Sequence, residues 1–197
     1  MKARAIIAHC WTGAPGDGWY PSAVSALAEH GIAAHVPALP DSLHPDRQAW
    51  QAALSGAIGT PEESLLLIGH SLGAIALLHW LTRAAAGYQI DSLLLIAPPL
   101  SPTGVAEVDR FLDPPPDLRE ARRRVRRIDA ILGANDPWLR PDPMSLSRRL
   151  QSELGAQVRV LPDRGHFVPA SGQTPLPELH EWTLARTRFL SETLLQD

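Results

Sequence analysis

Three residues that together could run a proton relay lie far apart in the chain: Ser71, Asp136 and His166. A serine hydroxyl is a poor nucleophile at neutral pH and needs a base to take its proton. Imidazole suits that task because its pKa lies near neutrality, and a carboxylate behind it fixes the tautomer and stabilises the imidazolium. Ser71 stands within Gly69-His70-Ser71-Leu72-Gly73, directly after the apolar run Ser64-Leu65-Leu66-Leu67-Ile68 and before the small-residue stretch Ala74-Ile75-Ala76-Leu77-Leu78. A strand, a sharp turn and a helix in that order hold a serine with its hydroxyl projecting. Gly69 and Gly73 are required because Cβ atoms there would collide with the neighbouring strand or helix. The helix start also aims unpaired N–H groups at any oxyanion formed nearby. The pentapeptide alone recurs by chance, and its setting between strand and helix carries the argument. The plainer reading is a serine in a tight turn.

The partners of Ser71 have competitors. Asp113 lies in a proline-rich excursion and Asp129 inside an apolar strand, which leaves Asp136, in Asn135-Asp136-Pro137 just past a strand end. His180 falls within the last helix, and His70, next to the serine, would point away from it. His166, in a Gly-His-Phe turn, is the better base. Singly, a turn-capping aspartate and an ordinary loop histidine explain these residues as well, and it is their joint occurrence in this order that favours a triad. An oxyanion would need two converging N–H donors, the loss of one commonly costing ~3 kcal/mol of transition-state stabilisation. The backbone of Leu72 is the first donor expected, and the backbone of Trp11, in the loop after the first strand, is the second. His9 and Thr12 either brace that loop, or His9 merely caps the strand.

Six short apolar segments position these residues: 3–8, 32–36, 64–68, 92–97, 128–132 and 158–161. Helical stretches are expected at 21–30, 45–58, 72–81, 117–126, 144–154 and 177–195. Continuous apolar strands alternating with helices imply an α/β class, a mostly or wholly parallel six-stranded sheet with helices on both faces. No internal repeat or second domain is seen, so residues 1–197 read as one domain, a length sufficient for a sizeable core. In such sheets ligands bind at the C-terminal strand ends, where Ser71, Asp136 and His166 would all emerge.

A net charge of −3 gives no global attraction to nucleic acid or anionic membranes. The single cysteine, Cys10, excludes an internal disulfide and fits a reducing compartment. The first residues carry too short an apolar run for a signal peptide, and no stretch approaches membrane-spanning length, so the expected location is cytoplasmic. No metal-ligand spacing appears among the eight histidines, and neither a metal nor an organic cofactor is needed for the expected chemistry.

The sequence resembles the small α/β-hydrolases of the retinoblastoma-binding-protein-9 and YdeN type, the serine hydrolase family, over nearly the whole chain. The likeness rests on His9-Cys10-Trp11-Thr12-Gly13 after the first strand, Trp19-Tyr20-Pro21, Gly69-His70-Ser71-Leu72-Gly73-Ala74, Asn135-Asp136-Pro137 and Gly165-His166-Phe167. The order Ser…Asp…His is also the one expected of α/β-hydrolases. The resemblance implies a compact α/β-hydrolase fold lacking the usual first antiparallel strands and any large cap, with its triad at Ser71, Asp136 and His166. One departure is Cys10, where many relatives have glycine. If that position requires a positive φ, the oxyanion loop is shaped differently here.

Trp11, Trp19, Trp138, Pro98, Pro99 and Phe167 fall in loops on the active edge and would wall an apolar pocket for an acyl or aromatic group. Any one of these rings could equally pack its loop onto the sheet. Arg119, Arg122, Arg123, Arg124, Arg126 and Arg127 crowd one segment with a single acid, Glu120. Such a run is usually a solvated helix face, and the other reading is a patch for an anionic partner. Cys10 reads as a small packed residue. The expected activity is hydrolysis of small carboxylic esters or thioesters through an acyl-enzyme, with amide cleavage a less favoured variant. The rival is a binding protein on a hydrolase scaffold, using the arginine segment for recognition.

Overall fold

The computed structural model describes residues 3–60, 64–84, 88–168 and 176–193, with the side chains of the last helix described as far as Arg186. Its strands are β1 (Ala3–Ala8), β2 (Ile32–His35), β3 (Ser64–His70), β4 (Ile90–Ile96), β5 (Val125–Gly133) and β6 (Gln157–Leu161). The helices are α1 (Tyr20–Glu29), α2 (Arg47–Ile58), α3 (Leu72–Arg83), α4 (Ala106–Phe111), α5 (Leu118–Arg123), α6 (Pro143–Leu154) and α7 (Pro177–Thr193). All strand pairs are parallel, in the order β2-β1-β3-β4-β5-β6. The chain steps outward from β1 to β2 and then crosses back to β3, so its direction reverses between β1 and β3. Parallel sheets open a crevice at such a point, beyond the carboxyl ends of the strands.

The apolar runs serve both faces by simple alternation. Ile6, Leu65, Leu67, Leu93 and Leu95 point into a core shared with α2, α3 and α6. Ala5, Ile7, Leu66, Ile68, Leu94 and Ile96 point into a second core closed by Trp19, Tyr20 and Leu27 of the α1 region and by Leu179 and Trp182 of α7. Every residue of β3 is buried, as is every residue of α3 from Leu72 to Leu81. Aspartates start three helices: Asp46, Asp117 and Asp142 accept from Ala49, Glu120 and Ser145 N–H groups.

Two expectations change. The helix expected over 117–126 stops at Arg123, and the chain re-enters the sheet at Val125, paired with Ile90 and almost fully buried. The arginine run is therefore split between a short helix and a strand, and is not one solvated helix face. Arg122 donates to the Val125 carbonyl, Arg123 and Arg124 pair with Glu120, Arg126 lies 3.8 Å from Asp91, and Arg127 donates to Gln157. The proline-rich excursion after β4 contains α4, which its prolines hide from a periodicity argument. It is organised by the Asp109 carboxylate, which accepts from the Thr103 and Gly104 N–H groups. No helix among the described residues is long and apolar enough to cross a membrane.

Candidate active site

Ser71 sits between β3 and α3 at φ 52° and ψ −120°, a left-handed conformation that costs energy for a residue with a side chain. Its N–H donates to the Ile96 carbonyl at 2.8 Å, tying the turn to β4. The flanking glycines are steric necessities. A Cβ on Gly69 would lie 2.4 Å from Ala74 Cα, and one on Gly73 would lie 2.3 Å from the Ala8 carbonyl oxygen. The elbow can therefore form only where β1, β3 and α3 touch through bare backbone.

The loops after β5 and β6 are bound to each other in the same way. A Cβ on Gly133 would lie 2.2 Å from the Gly165 carbonyl oxygen. Asn135 N–H donates to the Arg164 carbonyl at 3.0 Å, and its side-chain amide donates to the Pro162 carbonyl at 2.9 Å. This approach brings His166 over Asp136. The His166 Nδ1 lies 2.7 Å from Asp136 Oδ2, and its Nε2 lies 2.7 Å from Ser71 Oγ. A carboxylate can only accept, so Nδ1 carries the proton and the bare Nε2 faces the serine hydroxyl. The other carboxylate oxygen of Asp136 accepts from Trp138 N–H at 2.9 Å, which leaves the group buried but satisfied.

The competing residues are engaged elsewhere. Asp129 accepts from Trp182 Nε1 at 3.0 Å and lies 3.5 Å from Arg127 and 3.8 Å from Arg186, fastening α7 to the sheet. Asp113 is exposed in the excursion. His180 packs its ring against His30, just past the end of α1. His70 turns its ring away from Ser71, with Nδ1 at 2.8 Å from the Tyr20 hydroxyl and Nε2 at 2.9 Å from the His166 carbonyl oxygen. Burial first, and the neighbouring His166 second, lower its pKa to about 3.

In the loop after β1 the N–H groups around Trp11 are spent within the loop or on its neighbours. Cys10 N–H donates to the Tyr20 hydroxyl, Thr12 N–H to the Ser42 carbonyl and Gly13 N–H to the Cys10 carbonyl. Among the described hydrogen bonds the Trp11 N–H has no acceptor, and neither does the Leu72 N–H at the start of α3. Cys10 does not have a positive φ; Thr12 does, at 60°, so position 10 tolerates a side chain without backbone strain. His9 braces the loop, donating from Nδ1 to the Cys10 carbonyl and accepting the Leu39 N–H at Nε2. Burial lowers the His9 pKa and raises that of the Cys10 thiol, so neither bears charge near neutrality.

A cavity of about 210 Å³ opens over Ser71 and His166, walled by Trp11, Pro99, Val105, Val108, Trp138 and Val168. Trp138 is half-exposed at its mouth, and Trp11 is fixed by an Nε1–H donated to the Leu43 carbonyl. The other expected wall residues fall elsewhere. Trp19 is 1% exposed and belongs to the α1-side core, edge-on to the Tyr20 ring and tilted against that of His70. It caps α1, whose amphipathic packing draws it inward. Pro98 is buried outside the cavity lining, and Pro99 makes the wall in its place. Phe167, at φ 59°, faces a neighbouring cavity of about 450 Å³ beside Tyr20 and His70. Val105 and Val108 were missed, although their three-residue spacing is an apolar signal inside the excursion. No cluster of three or more metal-ligating side chains occurs among the described residues.

The chain has known relatives. The family model described as serine hydrolase matches residues 5–184. The chain belongs to the serine hydrolase family. Its sequence is 25% identical to YdeN of Bacillus subtilis (strain 168) over 183 residues, which is 92% of this chain and 94% of that one. The crystal structure of the ydeN gene product superimposes with a TM-score of 0.84 at 22% identity, over 93% of this chain and 97% of the other. More distant neighbours in fold include Est1E from Butyrivibrio proteoclasticus, with a TM-score of 0.68 at 13% identity over 98% of this chain and 88% of that one. The monoacylglycerol lipase of Paleococcus ferrophilus gives 0.65 at 16% identity over 95% and 93%. The six-stranded parallel sheet with its helices is the α/β-hydrolase fold.

Proposed function

We propose that this serine hydrolase cleaves small carboxylic esters or thioesters through an acyl-enzyme. The observation that carries the reading is the unbroken line Ser71 Oγ–His166–Asp136, with both links at 2.7 Å, beside two N–H groups without internal acceptors. As Ser71 attacks the carbonyl carbon, Nε2 of His166 takes its proton, and Asp136 stabilises the imidazolium. The N–H groups of Leu72 and Trp11 receive the charge that builds on the carbonyl oxygen. His166 then returns the proton to the leaving oxygen or sulfur, and water, activated by the same imidazole, releases the acid.

The apolar walls and the cavity of about 210 Å³ suit a short acyl chain. The lipase among the fold neighbours is an ester-cleaving enzyme by name, which supports ester over amide chemistry. The test combines fluorophosphonate labelling with a panel of p-nitrophenyl and thioester substrates of graded acyl length. Labelling at Ser71, lost in Ser71→Ala, and turnover that peaks at short chains are expected. A protein that resists the probe and turns over none of the panel would return the arginine-rich binding-protein reading to first place.

A further inference from the structure

A second hydrogen-bonded line runs beneath the triad, and its direction is forced at every step. The His166 carbonyl can only accept, so Nε2 of His70 carries the proton. His70 is buried against Trp19 and Tyr20 and sits 5.7 Å, ring to ring, from His166, a setting that keeps it neutral. Its Nδ1 is therefore bare and accepts the Tyr20 hydroxyl proton at 2.8 Å. The Tyr20 oxygen in turn accepts the Cys10 N–H at 2.9 Å. Cys10 precedes Trp11, whose N–H is the proposed oxyanion donor. Every polar atom along the line is satisfied, and reversing any one bond would orphan a buried proton or lone pair.

We infer that His70 and Tyr20 are positioning residues: together they lock the loop after β1 to the backbone of His166, so that the oxyanion donor and the general base share one register. The inference rests on the proposed acyl-transfer chemistry. Neither side chain touches substrate, and their effect is exerted through Trp11 and His166. The two loops depart from β1 and β6, which are separated in the sheet by β3, β4 and β5. Sheet pairing alone therefore places no direct restraint between them. A relay through the elbow residue supplies one.

The test uses Tyr20→Phe, which keeps the ring and removes the hydroxyl, His70→Gln, which retains a donor for the His166 carbonyl, His70→Leu, and the Tyr20→Phe/His70→Leu double variant. Tyr20→Phe is expected to lower kcat for a p-nitrophenyl ester by about 10- to 100-fold, the scale of a small misplacement of reacting groups, with KM unchanged. Affinity for a trifluoromethyl ketone, which mimics the tetrahedral intermediate, falls by the same factor. His70→Leu matches or exceeds that loss, His70→Gln restores part of it, and the double variant is no worse than His70→Leu alone. Losses that multiply in the double variant, or an unchanged kcat in Tyr20→Phe, overturn the relay. Nitrogen-15 spectra of the imidazoles and the backbone amides supply a readout independent of turnover. His70 should carry its proton on Nε2, and Tyr20→Phe should move the Trp11 amide and His166 ring signals. If those signals stay in place, the relay is wrong even where kcat falls. If the wild-type protein proves inactive, the proposed function falls, while the spectrum still decides the relay.

Discussion

The two loops that carry Asp136 and His166 are built differently from the excursion that walls the cavity. Residues 133–136 and 162–166 meet backbone to backbone, across a contact too close for a Cβ and through donated N–H groups. The excursion and α4 reach the cavity with Val105 and Val108, packed by apolar contact and one aspartate-capped turn. The difference separates two tasks. Groups that pass a proton must be held to within a fraction of an ångström, and backbone contacts, which few substitutions can relax, hold them so. A wall that selects among acyl groups needs only volume and apolarity, and side chains can change both without disturbing the proton path.

The largest expected effects break the chemical side. Asp136→Asn should lower kcat by about 10⁴-fold, because the amide favours the wrong imidazole tautomer. Steady-state kinetics at saturating ester, with a melting curve to show an intact fold, would check this. Gly133→Ala should follow, since its methyl group must push the loop of residues 164 and 165 outward. We expect a loss of about 100-fold in kcat with His166 displaced from Ser71, measured with the shortest ester.

Acid bears on both sides at once, because each has a neutral imidazole buried beside it. His70 lies under the chemical loops with its pKa lowered to about 3, and His79, which faces Phe111 of α4, has its pKa lowered to about 4. Burial is the largest cause for both; Arg47 and Arg83 add to it at His79. The unfolded chain binds these protons first, below the ordinary 6.5, so the two groups contribute fully above that pH. Their contribution is lost as the pH falls towards 4 and then 3. Urea unfolding at pH 7 and pH 5 should give a lower midpoint at pH 5, with His70→Gln less sensitive than wild type.

The wall side should give smaller and more selective changes. Val108→Phe fills part of the cavity and should raise KM for longer acyl esters about tenfold while sparing acetyl esters, as expected for a few methylenes excluded from an apolar pocket. Equal losses across the whole panel would show that the excursion also shapes the chemical loops. The smallest effect belongs to the surface: Arg123→Ala should change stability by no more than about 0.5 kcal/mol, because its pair with Glu120 is solvent-exposed.

The same contrast decides how much was legible in the sequence. The central strands were legible because β3 and β4 carry continuous apolar runs, and the elbow because two glycines and a serine have a steric reason to be where they are. Asp136 and His166 were legible as residues just past strand ends. The stitching of their loops through Gly133 was not, since a glycine does not announce which backbone approaches it. Val125 was absorbed into a helix by the arginines around it, yet its pairing with Ile90 places it in β5. The tryptophans misled in a similar way: Trp11 and Trp138 line the cavity, whereas Trp19, also written in a loop, turns inward to cover β1 and β3. Loop position gives a residue access to the active edge and says nothing about which side of the backbone its ring will take.

The docking of α7 bears on how the protein is made. Leu176, Leu179 and Trp182 finish the core over Ile68, Leu94, Ile96 and Ile131, and they leave the ribosome after every strand has been synthesised. Until they emerge, one side of a complete parallel sheet has only α1 to shield it, an interval in which nascent chains are prone to associate with one another. A stop codon shortly before residue 176 should therefore yield insoluble product although the elbow, Asp136 and His166 are all encoded.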